Sequence, residues 1–92
     1  MQNKIYATEI CNLIKKNFNN AEITCGSVSE TMYTIVNSDA PFIRVGSRDE
    51  WQDFKSWDEA SAYANGRTDN FMVGIRPYRK SGAMALATIK NV

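Results

Sequence analysis

The residues of this chain that could do chemistry are its carboxylates, its cations and two cysteines, because its 92 residues contain no histidine. Histidine is the commonest general acid or base near neutral pH and the commonest metal ligand. Its absence removes most catalytic triads, most zinc sites and most simple proton shuttles. The remaining polar residues have no spacing typical of an active site. The sequence therefore predicts a binding protein that is not an enzyme, with no catalytic residue, no metal site and no cofactor.

The two cysteines, Cys11 and Cys25, do not form a metal-binding pattern. Zinc sites need a Cys-x-x-Cys pair or further Cys and His ligands, and a catalytic thiol needs a partner that activates it. A disulfide between the two is the open alternative. The N-terminal residues lack the apolar run of a secretory signal, and no segment approaches the roughly 20 apolar residues of a membrane helix. We therefore expect reduced thiols in a cytoplasmic protein that does not contact membranes.

A basic segment at 76–80 is the first candidate binding site. Its candidate contact residues are Arg76, Tyr78, Arg79 and Lys80. An arginine side chain can bind a phosphate or a carboxylate through two hydrogen bonds, and a tyrosine ring can stack on a base or anchor a protein interface. Turn-forming residues flank the segment, which predicts an exposed hairpin loop. The alternative is that these cations only keep a strand edge from pairing with other chains.

An acidic segment at 48–53 is the second candidate. Its candidate contact residues are Asp49, Glu50, Trp51 and Asp53. Carboxylates can take the place of backbone phosphates on the basic surface of a nucleic-acid-binding protein, and a tryptophan is a frequent energetic anchor of interfaces. The alternative is a solvated loop whose Trp51 and Phe54 cover the edge of the core, since tryptophan is usually largely buried.

Charge is unevenly distributed along the chain, although the net charge is only +1. Residues 21–60 carry three cations against eight carboxylates, a balance of −5, and residues 61–92 carry five cations against one carboxylate, a balance of +4. The small net charge argues against a dedicated nucleic-acid or membrane-surface binder. The two groups of charges either keep two faces of the domain solvated or orient a protein partner through complementary potentials.

The elements that must position these residues begin with an amphipathic helix at 3–18, whose apolar side chains fall within one arc. Three segments with strand-like composition follow, at 21–25, 31–37 and 42–45. Their short connections predict an antiparallel meander. Residues 47–55 are polar and acidic, which predicts a loop or a single helical turn rather than a strand.

The clearest local signal is a capping box, in which Ser56 caps a helix and Glu59 occupies the third helical position. It predicts a helix at about residues 57–65, with Gly66 in the left-handed conformation at the end. The segment 54–66 resembles an element of many small α+β domains, in which a capped helix follows a strand. That resemblance concerns the fold and implies no function.

Two alternating segments at 71–76 and 83–89 predict the adjacent antiparallel strands of a hairpin. The whole pattern predicts a single α+β domain over residues 1–92, with elements in the order α-β-β-β-α-β-β. We expect a mostly antiparallel sheet of about five strands and two helices, the first of them packed across the sheet.

In size, α+β order, divided charge and lack of catalytic residues, the chain resembles the small single-domain proteins that phages encode against bacterial defences, anti-CRISPR proteins among them. The resemblance implies a stoichiometric inhibitor that binds a bacterial CRISPR surveillance complex in the host cytoplasm and blocks target DNA. It assigns no role to any single residue. The alternative is a small accessory nucleic-acid-binding domain that uses the basic segment at 76–80.

Overall fold

A computed structural model describes residues 3–26, 32–35, 40–47, 49–76 and 84–91, and these residues form two helices and two antiparallel sheets. In chain order the elements are β1 (Asn3–Tyr6), α1 (Ala7–Asn17), β2 (Glu22–Cys25), β3 (Met32–Ile35), β4 (Ile43–Ser47), β5 (Glu50–Phe54), α2 (Trp57–Asn65), β6 (Phe71–Ile75) and β7 (Met84–Lys90). The predicted α+β class, with two helices and a five-stranded antiparallel sheet, is confirmed. The predicted elements occur in the predicted order, and β1 and β5 are added to them.

The larger sheet has the strand order β2-β7-β6-β4-β5, and the smaller one pairs β1 with β3. The predicted hairpin is confirmed, because β6 and β7 are antiparallel neighbours. The predicted meander is wrong: β2 pairs with β7, β3 with β1, and β4 lies between β6 and β5. Alternation of apolar and polar residues specifies which face of a strand is buried, but it does not specify the neighbouring strand.

Two segments adopt a different structure from the predicted one. Residues 3–6 form β1 rather than the first turn of a helix, and α1 begins only at Ala7. The polar residues 50–54 form β5 rather than a loop. In both cases a partner strand supplies the backbone hydrogen bonds, the sequence-distant β3 for β1 and the directly preceding β4 for β5, and this pairing overrides the local preference.

The core lies between the larger sheet and both helices, which confirms that α1 packs across the sheet. The side chains with no solvent exposure are Ile10, Ile14, Ile43, Val45, Ala60, Ala64, Val73, Ile75 and Ile89. Two of them, Ala60 and Ala64, are small residues one helical turn apart, which lets α2 approach the sheet closely. The opposite face of the larger sheet, here called the open face, is covered by neither helix.

The ends of α2 confirm one prediction and correct another. The Ser56 hydroxyl accepts a hydrogen bond from the backbone N–H of Glu59 at 3.2 Å, as the capping box predicts. Gly66, however, has φ −85° and ψ −7°, which is right-handed, so the predicted left-handed conformation is wrong. The helix ends instead through tightened bonds, from the Gly66 N–H to the Tyr63 carbonyl and from the Arg67 N–H to the Ala64 carbonyl.

A disulfide joins Cys11 on α1 to Cys25 at the end of β2, with 6.2 Å between the Cα atoms. The expectation of reduced thiols is therefore wrong. The two residues meet because α1 lies across the sheet and β2 is the edge strand on that side. Packing alone creates this proximity, so the sequence could not distinguish a disulfide from two free thiols.

We expect reduction of the disulfide to lower the free energy of unfolding by about 3 kcal/mol, the value for a closed loop of roughly 15 residues. The measurement is urea denaturation with and without dithiothreitol. The double variant Cys11→Ala/Cys25→Ala should not respond to the reductant. Two reactive thiols in the folded, unreduced protein would contradict the disulfide.

Gly46 on β4 is a backbone position that tolerates no side chain. Its φ is +156°, and an added Cβ would lie 1.9 Å from the carbonyl oxygen of Glu50. We expect Gly46→Ala to destabilise the protein by about 3 kcal/mol, since strain and overpacking add. Thermal denaturation checks this.

The matched control is Gly66→Ala, because Gly66 is right-handed and an added Cβ there would come no closer than 3.6 Å to a neighbouring atom. That variant should be neutral, or stabilised by up to about 1 kcal/mol. Equal melting temperatures for the two variants would contradict the close approach at Gly46.

Candidate functional site

The predicted acidic segment lies at one edge of the larger sheet. Asp49 belongs to the turn between β4 and β5, and Glu50 begins β5; both are exposed. In the described part of the chain β5 has a single neighbour, β4, and no described strand lies on its other side. We call Asp49, Glu50 and Asp53 the acidic edge. The fold therefore places the carboxylates of the second candidate site on an edge strand and on the turn that leads into it.

The third carboxylate of the acidic edge is already occupied. Asp53 lies opposite Arg44 on β4, and the Arg44 Nε is 2.8 Å from the Asp53 Oδ1. The Arg44 side chain is largely covered and the Asp53 side chain is about one-third exposed. Arg44 therefore compensates the charge of Asp53 within the protein. The carboxylates left to attract a partner are therefore Asp49 and Glu50.

The two aromatic residues of this segment lie on opposite faces of the sheet. Phe54 is opposite Ile43, packs against the core and lies 5.3 Å from the Tyr63 ring, measured between centroids. Trp51 is opposite Gly46 and belongs to the other, open face. The prediction that both rings cover the core edge therefore holds for Phe54 alone.

Trp51 ends a row of cross-strand neighbours on the open face. The row runs from β2 to β5 through Thr24, Thr88, Met72, Gly46 and Trp51. Trp51 and Met72 are half-buried, and Gly46 between them has no side chain. An aromatic ring beside a strand glycine covers backbone that would otherwise be exposed. Trp51 thus presents part of its ring to solvent, close to Asp49 and Glu50 along the chain.

The basic segment is described only at its first residue. Arg76 is exposed directly after β6, and its backbone N–H donates to the Phe42 carbonyl at 2.7 Å. The other three candidates, Tyr78, Arg79 and Lys80, lie outside the described residues, and their role stays a prediction. Arg76 itself lies beside the start of β4, whereas Glu50 lies opposite Ser47 at the end of β4.

Arg67, another cation of the basic C-terminal third, has a structural role that the sequence did not indicate. Its Nε donates to the Asp69 Oδ1 at 2.8 Å, and its guanidinium lies 4.9 Å from the centroid of the Phe71 ring. The hydrogen bond with Asp69 raises the pKa of Arg67, and the same bond lowers the pKa of Asp69. This cation is held by the fold, and it is not available to a partner.

Asparagines join the ends of both helices to the last strand. The Asn20 Nδ2 donates to the Asn91 Oδ1 at 3.2 Å, and the Asn91 Nδ2 donates to the Asp69 carbonyl at 2.7 Å. The Asn65 Oδ1 accepts a bond from the backbone N–H of Asn19 at 2.8 Å. These amides mainly satisfy backbone groups at the helix ends and are structural.

Within the described ranges, no three Asp, Glu or Cys side chains are grouped so that they could hold a metal ion. Neither helix found there combines the length and the apolar character needed to cross a bilayer. Comparison with known proteins gives no match to a family model, to a curated protein or to a solved structure.

Because Trp51 and Phe54 lie on opposite faces of the sheet, we expect their replacement by alanine to change the free energy of unfolding by different amounts. We expect Phe54→Ala to lower the free energy of unfolding by about 2 kcal/mol, because its ring is packed against the core. Trp51→Ala should cost less than about 1 kcal/mol, as is usual for surface positions. Urea denaturation of both variants is the measurement. A larger loss for Trp51→Ala would assign Trp51 to the core.

Proposed function

We propose that this protein is a non-enzymatic inhibitor that binds a nucleic-acid-handling bacterial complex through its acidic edge. The observation that carries the proposal is the placement of two exposed carboxylates at one end of an edge strand, Asp49 in the turn before β5 and Glu50 at its start, next along the chain to the partly exposed Trp51. A surface that binds nucleic acid is positively charged, and carboxylates compete for it with backbone phosphates. The partner implied by the resemblance to anti-CRISPR proteins is a CRISPR surveillance complex.

The helix that follows β5 carries further negative charge. The first turn of α2 carries the exposed Asp58 and Glu59, and α2 packs against β4 and β5. Lys55 is an exposed cation between them, so the surface is not uniformly negative. Complementary charges of this kind accelerate association and select the partner, while an aromatic residue such as Trp51 supplies binding energy.

The proposed site of action is the bacterial cytoplasm, where disulfides are rare because thiols are kept reduced. An inhibitor working there must remain folded without the bond between Cys11 and Cys25. The continuous core between the helices and the larger sheet supports this, since neither cysteine is among its buried members. Inhibition should therefore persist in the presence of dithiothreitol.

A second candidate is an accessory nucleic-acid-binding domain that uses the basic segment, and the exposed Arg76 favours it. Such a domain would bind bare DNA or RNA with an affinity that falls steeply as salt is added. An inhibitor would show little affinity for bare nucleic acid and would bind a protein complex instead.

Inhibition of target-DNA binding tests the proposal. Purified CRISPR surveillance complexes are mixed with the protein, and retention of labelled target DNA is measured by gel shift. We expect the wild type to block DNA binding by at least one of these complexes. Asp49→Lys/Glu50→Lys should need roughly tenfold more protein for the same effect, because close charge pairs across an interface contribute a kcal/mol or more.

The control is Glu9→Lys, which changes an exposed carboxylate on α1, away from the acidic edge. It should inhibit like the wild type. If none of the surveillance complexes is inhibited, the proposal is wrong. If the protein binds bare DNA and Arg79→Glu/Lys80→Glu abolishes that binding, the second candidate is right.

A further inference from the structure

We infer that β5 binds its partner by strand addition, accepting an extended segment rich in lysine or arginine as a sixth strand of the larger sheet. The inference rests on the proposed function and specifies how the acidic edge binds. In strand addition, backbone hydrogen bonds supply affinity and the side chains beside the new strand select its sequence. Three features of β5 support it: a regular free edge, backbone groups directed outward and carboxylates as its only charged side chains.

The edge of β5 is regular. It pairs with β4 over five residues, from Ile43 opposite Phe54 to Ser47 opposite Glu50, with no change of register between them. Five residues of strand are about 17 Å long, a usual length for a strand that pairs. No strand among the described ranges lies on the other side. A partner segment could therefore align along the full length of β5.

The ladder shows which backbone groups are directed outward. The Phe54 carbonyl accepts a hydrogen bond from the Phe42 N–H at 3.1 Å, so the backbone of Phe54 is directed towards β4. Backbone groups in an antiparallel strand alternate between its two sides. Gln52 is therefore also directed towards β4, whereas the N–H and C=O groups of Trp51 and Asp53 point to the free side. A sixth strand would bond to these two residues.

The side chains of β5 select a basic segment. Edge strands are commonly protected against pairing by lysine, proline or a bulge, and β5 contains none of these. It carries Glu50 towards the helix side, whereas Asp53 lies on the open face and is already paired with Arg44. Glu50 is therefore the carboxylate of β5 that selects the segment. Opposite charges on neighbouring strands stabilise their pairing and like charges oppose it. The same rule disfavours pairing of β5 with β5 of a second copy.

The other edge of the larger sheet is a poorer acceptor. β2 has four residues, and Cys25 at its end is held to α1 by the disulfide. Its charged residue, Glu22, lies opposite Lys90 on β7. Length, freedom from a disulfide and the exposed Glu50 thus distinguish β5 from β2.

A model peptide tests strand addition without the natural partner. The probe is an extended peptide of alternating lysine and threonine with blocked ends, and amide exchange of the protein is followed by nuclear magnetic resonance. At roughly millimolar peptide, a concentration that detects weak complexes, the amides of Trp51 and Asp53 should exchange more slowly. The amide of Gln52 should change little, because it is already bonded to β4. Unchanged exchange at Trp51 and Asp53 overturns the inference.

A pair of variants isolates the backbone contribution. Asp53→Ala removes the side chain and keeps the N–H, whereas Asp53→Pro also removes the N–H, which is tolerated where it points out of a sheet. We expect Asp53→Pro to bind the peptide roughly tenfold more weakly than Asp53→Ala, as for loss of one well-formed hydrogen bond. A peptide of alternating glutamate and threonine should not bind either variant.

The two proposals fail separately in these experiments. If Asp49→Lys/Glu50→Lys impairs inhibition but the two Asp53 variants bind the basic peptide equally, the acidic edge binds by side-chain charge and strand addition is wrong. If the surveillance complexes are not inhibited but exchange at Trp51 and Asp53 slows, β5 accepts strands and the proposed function is wrong. Should Asp53→Pro fail to fold, the exchange pattern of the wild type decides.

Discussion

Burial of one face of the larger sheet beneath two helices is the constraint on which the rest of this structure depends. Ile10 and Ile14 of α1 and the small Ala60 and Ala64 of α2 close over β4, β6 and β7 in a single core. A domain of this size has one core, so both helices cover the same face. The open face of the sheet is consequently covered by neither helix. The candidate site lies at an edge of the sheet that is outside this core.

The acidic edge is held in place by contacts that are not themselves available to a partner. Gly46 allows the β4 backbone to approach Glu50 closely, and the ion pair between Arg44 and Asp53 ties β5 to β4 across the open face. A partly exposed ion pair adds little stability, but it fixes where the charges lie. Rigid strands beneath Asp49 and Glu50 reduce the entropy that a partner must overcome on binding.

The accuracy of the sequence-based predictions varied with the range of the interactions that set each element. The second helix was predicted within its true limits, because Ser56 and the small residues that follow it carry the signal locally. The pairing of β6 with β7 was predicted because the two strands are successive. The first strand was missed because its partner β3 lies far along the chain, and β5 was missed because its polar, acidic composition lacks the apolar alternation of a strand although it directly follows β4.

The amino-acid sequence by itself determined the α+β class, the helix faces, the absence of histidine chemistry and the acidic character of residues 49–53, because composition, periodicity and capping act over a few neighbouring residues. Only the tertiary structure decided that this acidic segment is an edge strand, that Trp51 and Phe54 separate to opposite faces, and that Cys11 meets Cys25. Each of these depends on which strands and helices become neighbours. That choice is made by the global burial of apolar surface, in which all elements compete at once.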